Sequence, residues 1–337
     1  MTKVDVAIVG AGPLGIELAV ALKKAAISSV QFDAKQAGYT ISWFPPRTRF
    51  FSSPERIAIA GVPLQTPDQM KATREEYLAY LRAVIQQFDL HINTYEPVTD
   101  IKLRDGAFDL LTQHGQTERR WRAAHVVLAT GGTATPRRLD VPGEELPHVH
   151  PHWTDPHDYF QKSVLIVGGK NSAIETALRF HRAGAKVSLS YRRTEIPEKS
   201  IKYWLLPEIK GLLKTGEIRS FLGTTVERIE PLKVYLSNGD IIDADFVVPQ
   251  IGYVADMSLC RLAGVELHGP CEAPVFDPAT METNVPGLYV CGTVVGGTQD
   301  KYEVFIENGH VHVDRIVAHL TGRRSAVPDV VYASPET

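Results

Sequence analysis

Two glycine-rich turns, at Gly10 and Gly168, each follow a β-branched run and open a helical pattern, and each is trailed by short strands that end in a glycine, Gly131 and Gly252. Those repeats predict an α/β chain of two Rossmann-like dinucleotide-binding domains, each three-layered (ββα), the second inserted in the first. The expected bounds are 1–140 with 253–337 for the first domain and 141–252 for the second, with proline-bearing crossings at Pro136–Pro156 and Gly252–Ser258. A length of 337 residues with 44% apolar content suffices for two cores.

The first unit opens with a strand, Val4–Val9, then a helix from Leu14 to Ala25 built of good helix formers, then a strand Ser29–Asp33. From Gly38 to Gln69 the chain is irregular, and its Trp43, Phe44, Phe50 and Phe51 suit either a ligand wall or core packing. Thr73 with Glu76 three residues on is a capping box for a helix running to about Gln87. Val98–Thr130 reads as a three-stranded meander turning at Asp105-Gly106 and near His114-Gly115. The second unit repeats the order: strand Ser163–Val167, helix Asn171–Ala183, strand Ala185–Tyr191. Asn238-Gly239 then predicts a type I′ hairpin between Lys233–Leu236 and Ile241–Val248.

Composition narrows the class. Lys and Arg number 36 against 39 Asp and Glu, a net charge of −3, which leaves no footprint for nucleic acid and no polybasic stretch for a membrane surface. The N-terminal apolar run follows Asp5 and is broken by Glu17, against a signal peptide or membrane span. The cysteines Cys260, Cys271 and Cys291 contain no C-x-x-C pair and suit a reducing cytoplasm. Cys291 reads as a small buried hydrophobe, and Cys260 with Cys271 as an incidental pair. His148, His150, His152 and His157 lie in a proline-rich crossing without a cysteine or carboxylate to complete a ligand set, so no metal is expected, although one could donate a proton.

Gly10-Ala11-Gly12-Pro13-Leu14-Gly15 is G-x-G-x-x-G between a strand and a helix. Gly10 permits the tight turn, Gly12 lets a pyrophosphate approach the backbone, and Gly15 brings helix and strand together. Asp33, flanked by Ala34 and Lys35, closes the second strand, where a carboxylate accepts from ribose hydroxyls and repels a 2′-phosphate. Spacing alone does not separate FAD from NAD.

The second turn, Gly168-Gly169-Lys170-Asn171-Ser172-Ala173, carries Lys170 where the middle glycine normally stands. At the end of the next strand Tyr191 is followed by Arg192 and Arg193, two guanidinium groups suited to a 2′-phosphate. Lys202, and Lys199 before it, either extend that site or are solvated. One site without a 2′-phosphate and one with it make FAD plus NADPH the economical pair.

Ala129-Thr130-Gly131, Gly252-Tyr253 and Thr283–Gly292 resemble the linking and flavin-proximal motifs of low-molecular-weight thioredoxin reductases, over nearly the whole chain. Gly168–Ala173, Ser200–Trp204, Phe305–Gly309 and Phe50–Ser53 resemble more closely the bacillithiol disulfide reductase branch. The resemblance implies a cytoplasmic homodimeric enzyme that passes hydride from NADPH to FAD and on to a low-molecular-weight thiol disulfide or a small redox protein. It adds Thr130, Gly131, Gly292, Thr293, Glu303 and Val304 to the FAD site, with Tyr302-Glu303-Val304 opening the last helix toward the flavin. Thr293 stands where that family has an aspartate, Leu14 where the branch commonly has a cysteine, and the family's C-x-x-C is absent. No catalytic residue is therefore assigned. The alternatives are a ferredoxin or flavodoxin–NADP reductase of thioredoxin-reductase type, with Tyr332 in its tail, and an NADPH-sensing flavoprotein without turnover.

Overall fold

The computed structural model describes residues 2–299 and 303–325. Two compact units divide it: one ends its first stretch at Thr135 and resumes at Val254, and the other spans Pro136–Tyr253.

In the first unit β1 (Thr2–Val9) leads through the glycine turn to α1 (Pro13–Lys24) and β2 (Ser29–Phe32). A helix α2 (Arg74–Gln87) carries the expected box: Thr73 Oγ1 accepts from the Glu76 N–H, and Glu76 accepts from the Thr73 N–H at 2.7 Å. β3 (Ile92–Asn93) extends the parallel side, and β4 (Val98–Arg104), β5 (Ala107–His114) and β6 (Thr117–Leu128) form the meander. Asp105 and Gly106 both adopt positive φ at its first turn.

β6 is shared. Residues 117–123 pair antiparallel with β5, while 126–128 pair in parallel with Leu288–Val290, and β1 runs along its other side. The meander is thus continuous with the parallel sheet, in the order β3-β2-β1-β6-β5-β4. Fully buried Val6, Ile8, Leu18, Leu22, Phe32 and Val126 lie in the core of this unit.

The second unit separates the same parts. β7 (Ser163–Val167), α3 (Asn171–Arg182), β8 (Lys186–Tyr191), α4 (Leu206–Thr215) and β9 (Arg219–Leu222) come first. β10 (Val226–Glu230), β11 (Lys233–Leu236) and β12 (Ile241–Asp243) form a meander of their own, and β13 (Phe246–Pro249) completes the parallel sheet beside β7.

Two expectations are corrected here. Ile241–Val248 is not one strand, because at Asp245 the carboxylate accepts from the Ser163 N–H at 2.7 Å while its own N–H donates to the Ser163 carbonyl, which moves the chain to the other sheet. The hairpin at Asn238-Gly239 is also not type I′. Only Gly239 has positive φ, the Gly239 N–H donates to Leu236 O at 2.9 Å, and the Leu236 N–H donates to Asp240 O, a type I turn followed by a glycine bulge. Back in the first unit, β14 (Leu288–Val290) joins β6, and α5 (Ile306–Leu320) packs against α1.

Candidate dinucleotide sites

In the first unit, packing decides two of the three glycines. A Cβ on Gly10, whose φ is +115°, would stand 2.3 Å from Ala129 O, and one on Gly15 would stand 2.3 Å from Gly10 O. At Gly12 nothing lies within 4 Å, so the backbone there is open to a ligand. α1 begins with Pro13, has no side-chain cap and no acidic residue in its first turn, so its N-terminal donors and positive dipole end face that opening.

Asp33 is wired into the turn. Its Oδ2 accepts from the Ala11 N–H at 2.7 Å and its Oδ1 from the Lys35 N–H at 2.8 Å. Each oxygen keeps a second lone pair for a ribose hydroxyl. Burial raises its pKa, against the lowering effect of those two N–H groups. The loop 93–96 holds the strand end from behind: Asp33 N–H donates to Asn93 O, and Glu96 N–H donates to Asp33 O. Ala34 and Lys35 are exposed, with the Lys35 ammonium 5.9 Å from the Tyr39 ring centroid.

The turns after β6 and β14 are tied together. Gly132 N–H donates to Thr293 Oγ1 at 2.9 Å, and a Cβ on Gly131 would lie 3.7 Å from that oxygen. Gly292 N–H donates to Nδ1 of His312, a fully buried ring whose pKa burial pushes down to about 4. Thr130 lies half-buried on the first of these turns. Glu303 and Val304 do not open the last helix. Their N–H groups both donate to Gln299 Oε1 at 2.9 Å, and α5 starts at Ile306, with Asn308 Oδ1 taking the Phe305 N–H. Tyr302 and Tyr332 lie outside the described residues. Gln299 and His312 carry no motif, and only their hydrogen bonds reveal them.

In the second unit Gly168, at φ +140°, would put a Cβ 2.4 Å from Gln250 O. Gly169 lies flat on the Tyr191 ring, where a Cβ would come within 2.5 Å of the ring carbon Cγ. That explains Lys170: close packing falls on Gly169, while Lys170 is exposed at the N-cap of α3 with negative φ. α3 also lacks a side-chain cap and an acidic first turn. Asn171 Oδ1 accepts from the Lys202 N–H at 2.6 Å, and Ser172 is exposed beside it. Arg192 and Arg193 are exposed directly after β8. Lys202 is placed otherwise than as a solvated phosphate ligand: it is buried, with its ammonium 2.7 Å from Glu175 Oε2.

The remaining candidates scatter. His150 meets Tyr159 Oη at 2.8 Å and Pro147 O at 3.1 Å, His152 stacks on Tyr253, and His157 stacks on Phe160. Among the described residues no three metal-ligating groups converge. Phe44, Phe50 and Tyr77 pack ring against ring at tilted angles, the first two lying against the core cluster that contains Tyr77 beneath the irregular loop. The three cysteines are unpaired; burial pushes the Cys260 thiol up to about 11 and the Cys291 thiol further still, opposite to what a thiolate relay needs. No described helix is long and apolar enough to cross a membrane.

Two glycine turns on two α/β units, one followed by a carboxylate and the other by two guanidinium groups at the next strand end, define a protein with two dinucleotide-binding units. Residues 7–292 match the family model described as pyridine nucleotide-disulphide oxidoreductase, and the chain belongs to that family. It is 33% identical over 323 residues to the bacilliredoxin reductase Bdr of Bacillus subtilis (strain 168), covering 94% of this chain and 98% of that one. The structure of the bacillithiol disulfide reductase Bdr (YpdA) from Bacillus cereus superposes with a TM-score of 0.90 at 32% identity, over 95% of this chain and 99% of the other. A ferredoxin–NADP reductase of Halalkalibacterium halodurans is 25% identical over 299 residues, 86% of this chain and 84% of its own. The chain is an enzyme, and its cofactors are FAD and NADPH.

Proposed function

We propose that this chain is an NADPH-dependent reductase of a low-molecular-weight thiol disulfide, of the bacillithiol type, or of a small redox protein carrying such a disulfide. FAD is held in the first unit by the open backbone at Gly12, the α1 N-terminus with Pro13, Leu14 and Gly15, the Asp33–Lys35 strand end, the Thr130-Gly131 and Gly292-Thr293 turns, and Glu303-Val304. NADPH is held by Pro136–Tyr253, through Gly168–Ser172 and the Arg192-Arg193 pair. The observation that carries this is the opposite charge at two equivalent strand ends, Asp33 and Arg192-Arg193. Likeness to Bdr along almost all of both chains supports the choice of acceptor.

When bound, the two cofactors supply hydride transfer from nicotinamide to flavin and two electrons to the disulfide, which takes up two protons and leaves as two thiols. The protein contributes no C-x-x-C to that delivery. Its residues bind and orient: Asp33 excludes a 2′-phosphate from one site and the arginines select it at the other. The enzyme acts in the reducing cytoplasm as a homodimer.

Anaerobic NADPH oxidation by the purified yellow protein tests this, with bacillithiol disulfide, other thiol disulfides and ferredoxin as acceptors. Turnover on a disulfide is expected; flavin bleaching without it overturns the acceptor. The likeness to a ferredoxin–NADP reductase favours ferredoxin as the second reading. Bleaching with no turnover on any acceptor would leave a sensor.

A further inference from the structure

We propose that the largely covered Lys202–Glu175 ion pair sets the preference of the second dinucleotide site for a 2′-phosphorylated nucleotide, by latching down the loop that carries Arg192 and Arg193. The inference rests on the reading of that site as the NADPH site.

The loop leaves β8 at Tyr191 and runs over the surface to Ser200, with only the single turn Glu198–Ser200 as regular structure. It is fastened at both ends. Near β8, Gly223 N–H donates to Arg193 O at 2.9 Å and Thr224 N–H donates to Tyr191 O at 3.1 Å. At the far end Lys202 binds α3 twice, by its N–H to Asn171 Oδ1 at 2.6 Å and by its ammonium to Glu175 Oε2 at 2.7 Å. The two side chains are only 8% and 18% exposed, and Ile201 and Leu205 on either side are buried in the same core as Ile174, Ala177 and Leu178. The ammonium also lies 5.8 Å from the Trp204 ring centroid.

Packing alone does not call for this arrangement. A buried lysine and a largely covered glutamate carry a desolvation cost that an apolar pair avoids, and such a pair holds a core at least as well. What the ion pair adds is direction: it fixes where the chain packs back against α3, at Glu175, one turn beyond the helix start, and so fixes how far the loop ahead of it can swing. Two groups of ligands are thereby separated. The donors for the pyrophosphate are backbone N–H groups at the N-terminus of α3, held by the helix itself. The guanidinium groups that read the 2′-phosphate ride on the loop. Loosening the latch is felt by NADPH, whose extra phosphate must find both arginines, and hardly by NADH.

The test uses the FAD-loaded full chain. Lys202→Met, Lys202→Arg, Glu175→Gln and the K202M/E175Q double variant are compared by kcat and KM for NADPH and NADH in anaerobic flavin reduction. K202M is expected to lower the NADPH/NADH ratio of kcat/KM about tenfold, the scale of one charge-assisted hydrogen bond, through KM for NADPH. K202R should stay within about threefold of wild type because it keeps the charge, and the double variant should be no worse than K202M, since both break one pair. Should K202M fail to fold, the isosteric Glu175→Gln carries the test, with an expected fall of at least about threefold. Equal losses for the two nucleotides, or an unchanged ratio, overturn the latch alone. A wild-type protein without preference for NADPH overturns the reading of the site, and the latch with it.

Discussion

The side chain of Leu14 is wedged against Gly309: a methyl group on Gly309 would stand 3.1 Å from Leu14 Cγ and 3.3 Å from Leu14 Cδ1. A Cβ on Gly292 would meet the same leucine at 3.3 Å, so Leu14 fills the gap between the β14 turn and α5. The helix tolerates a glycine in its first turn because the leucine needs the room. Gly309→Ala should therefore destabilise the wild-type chain by about 1 kcal/mol, yet stabilise the Leu14→Ala variant by about 1 kcal/mol, the ordinary alanine advantage in a helix. Urea midpoints of the four proteins measure this, and additive effects would refute the wedge.

Arg192→Ala and Arg193→Ala remove the guanidinium groups directly. Each is expected to raise KM for NADPH roughly tenfold or more, with the effect shrinking at high salt. KM for NADH should change far less. Initial rates at two ionic strengths would check both statements.

Asp33→Asn keeps the shape but leaves one acceptor oxygen where the turn needs two, for the N–H groups of Ala11 and Lys35. FAD retention should fall about 10–100-fold, the worth of one or two hydrogen bonds to a charged group. Titration of the stripped protein with FAD reads this out, and unchanged affinity would remove Asp33 from the site.

Two histidines of one helix should tilt stability in opposite directions with pH. At His310 burial pulls the pKa down, but Glu17 Oε2 at 2.7 Å from Nδ1 and the Arg56 carbonyl at 2.9 Å from Nε2 outweigh it, and the net shift is upward. Its contribution is full below the unfolded value of about 6.5 and is lost as pH rises through the folded value. His312 is pushed down to about 4, so its contribution is full above about 6.5 and is lost as pH falls toward 4. Urea midpoints from pH 4 to 9 for wild type, His310→Gln and His312→Asn should show the alkaline slope flattened in the first variant and the acid slope in the second.

A variant without cysteine, C260A/C271S/C291A, should turn over within about threefold of wild type, because the buried thiols of Cys260 and Cys291 are held protonated. Loss of disulfide-dependent turnover with flavin reduction intact would identify a thiol step.

Local signals carried much of the fold. The glycine turns, the Thr73–Glu76 box and the Asp105-Gly106 turn each depend on residues a few positions apart, and each is readable as a string. What escaped depends on distant partners. Nothing near Asp245 announces that Ser163 will claim both its backbone and its carboxylate, and nothing near Lys202 announces Glu175. Lys202 looks like a phosphate ligand because sequence shows a charge and not its burial. α5 starts later than its sequence suggests because Gln299 holds Glu303 and Val304 in a loop that their own propensities do not specify.

The division of β6 between two partners sets an order of assembly. Its first half finds β5 immediately, across a tight turn, whereas its second half waits for Leu288–Val290. The whole of the inserted unit is synthesised in between. During translation the inserted unit can close its own parallel sheet while the first unit still shows a bare strand edge along 126–128, unprotected until Leu288–Val290 emerge. Truncation shortly before Leu288 would therefore be expected to leave the inserted unit folded and the first unit open to aggregation.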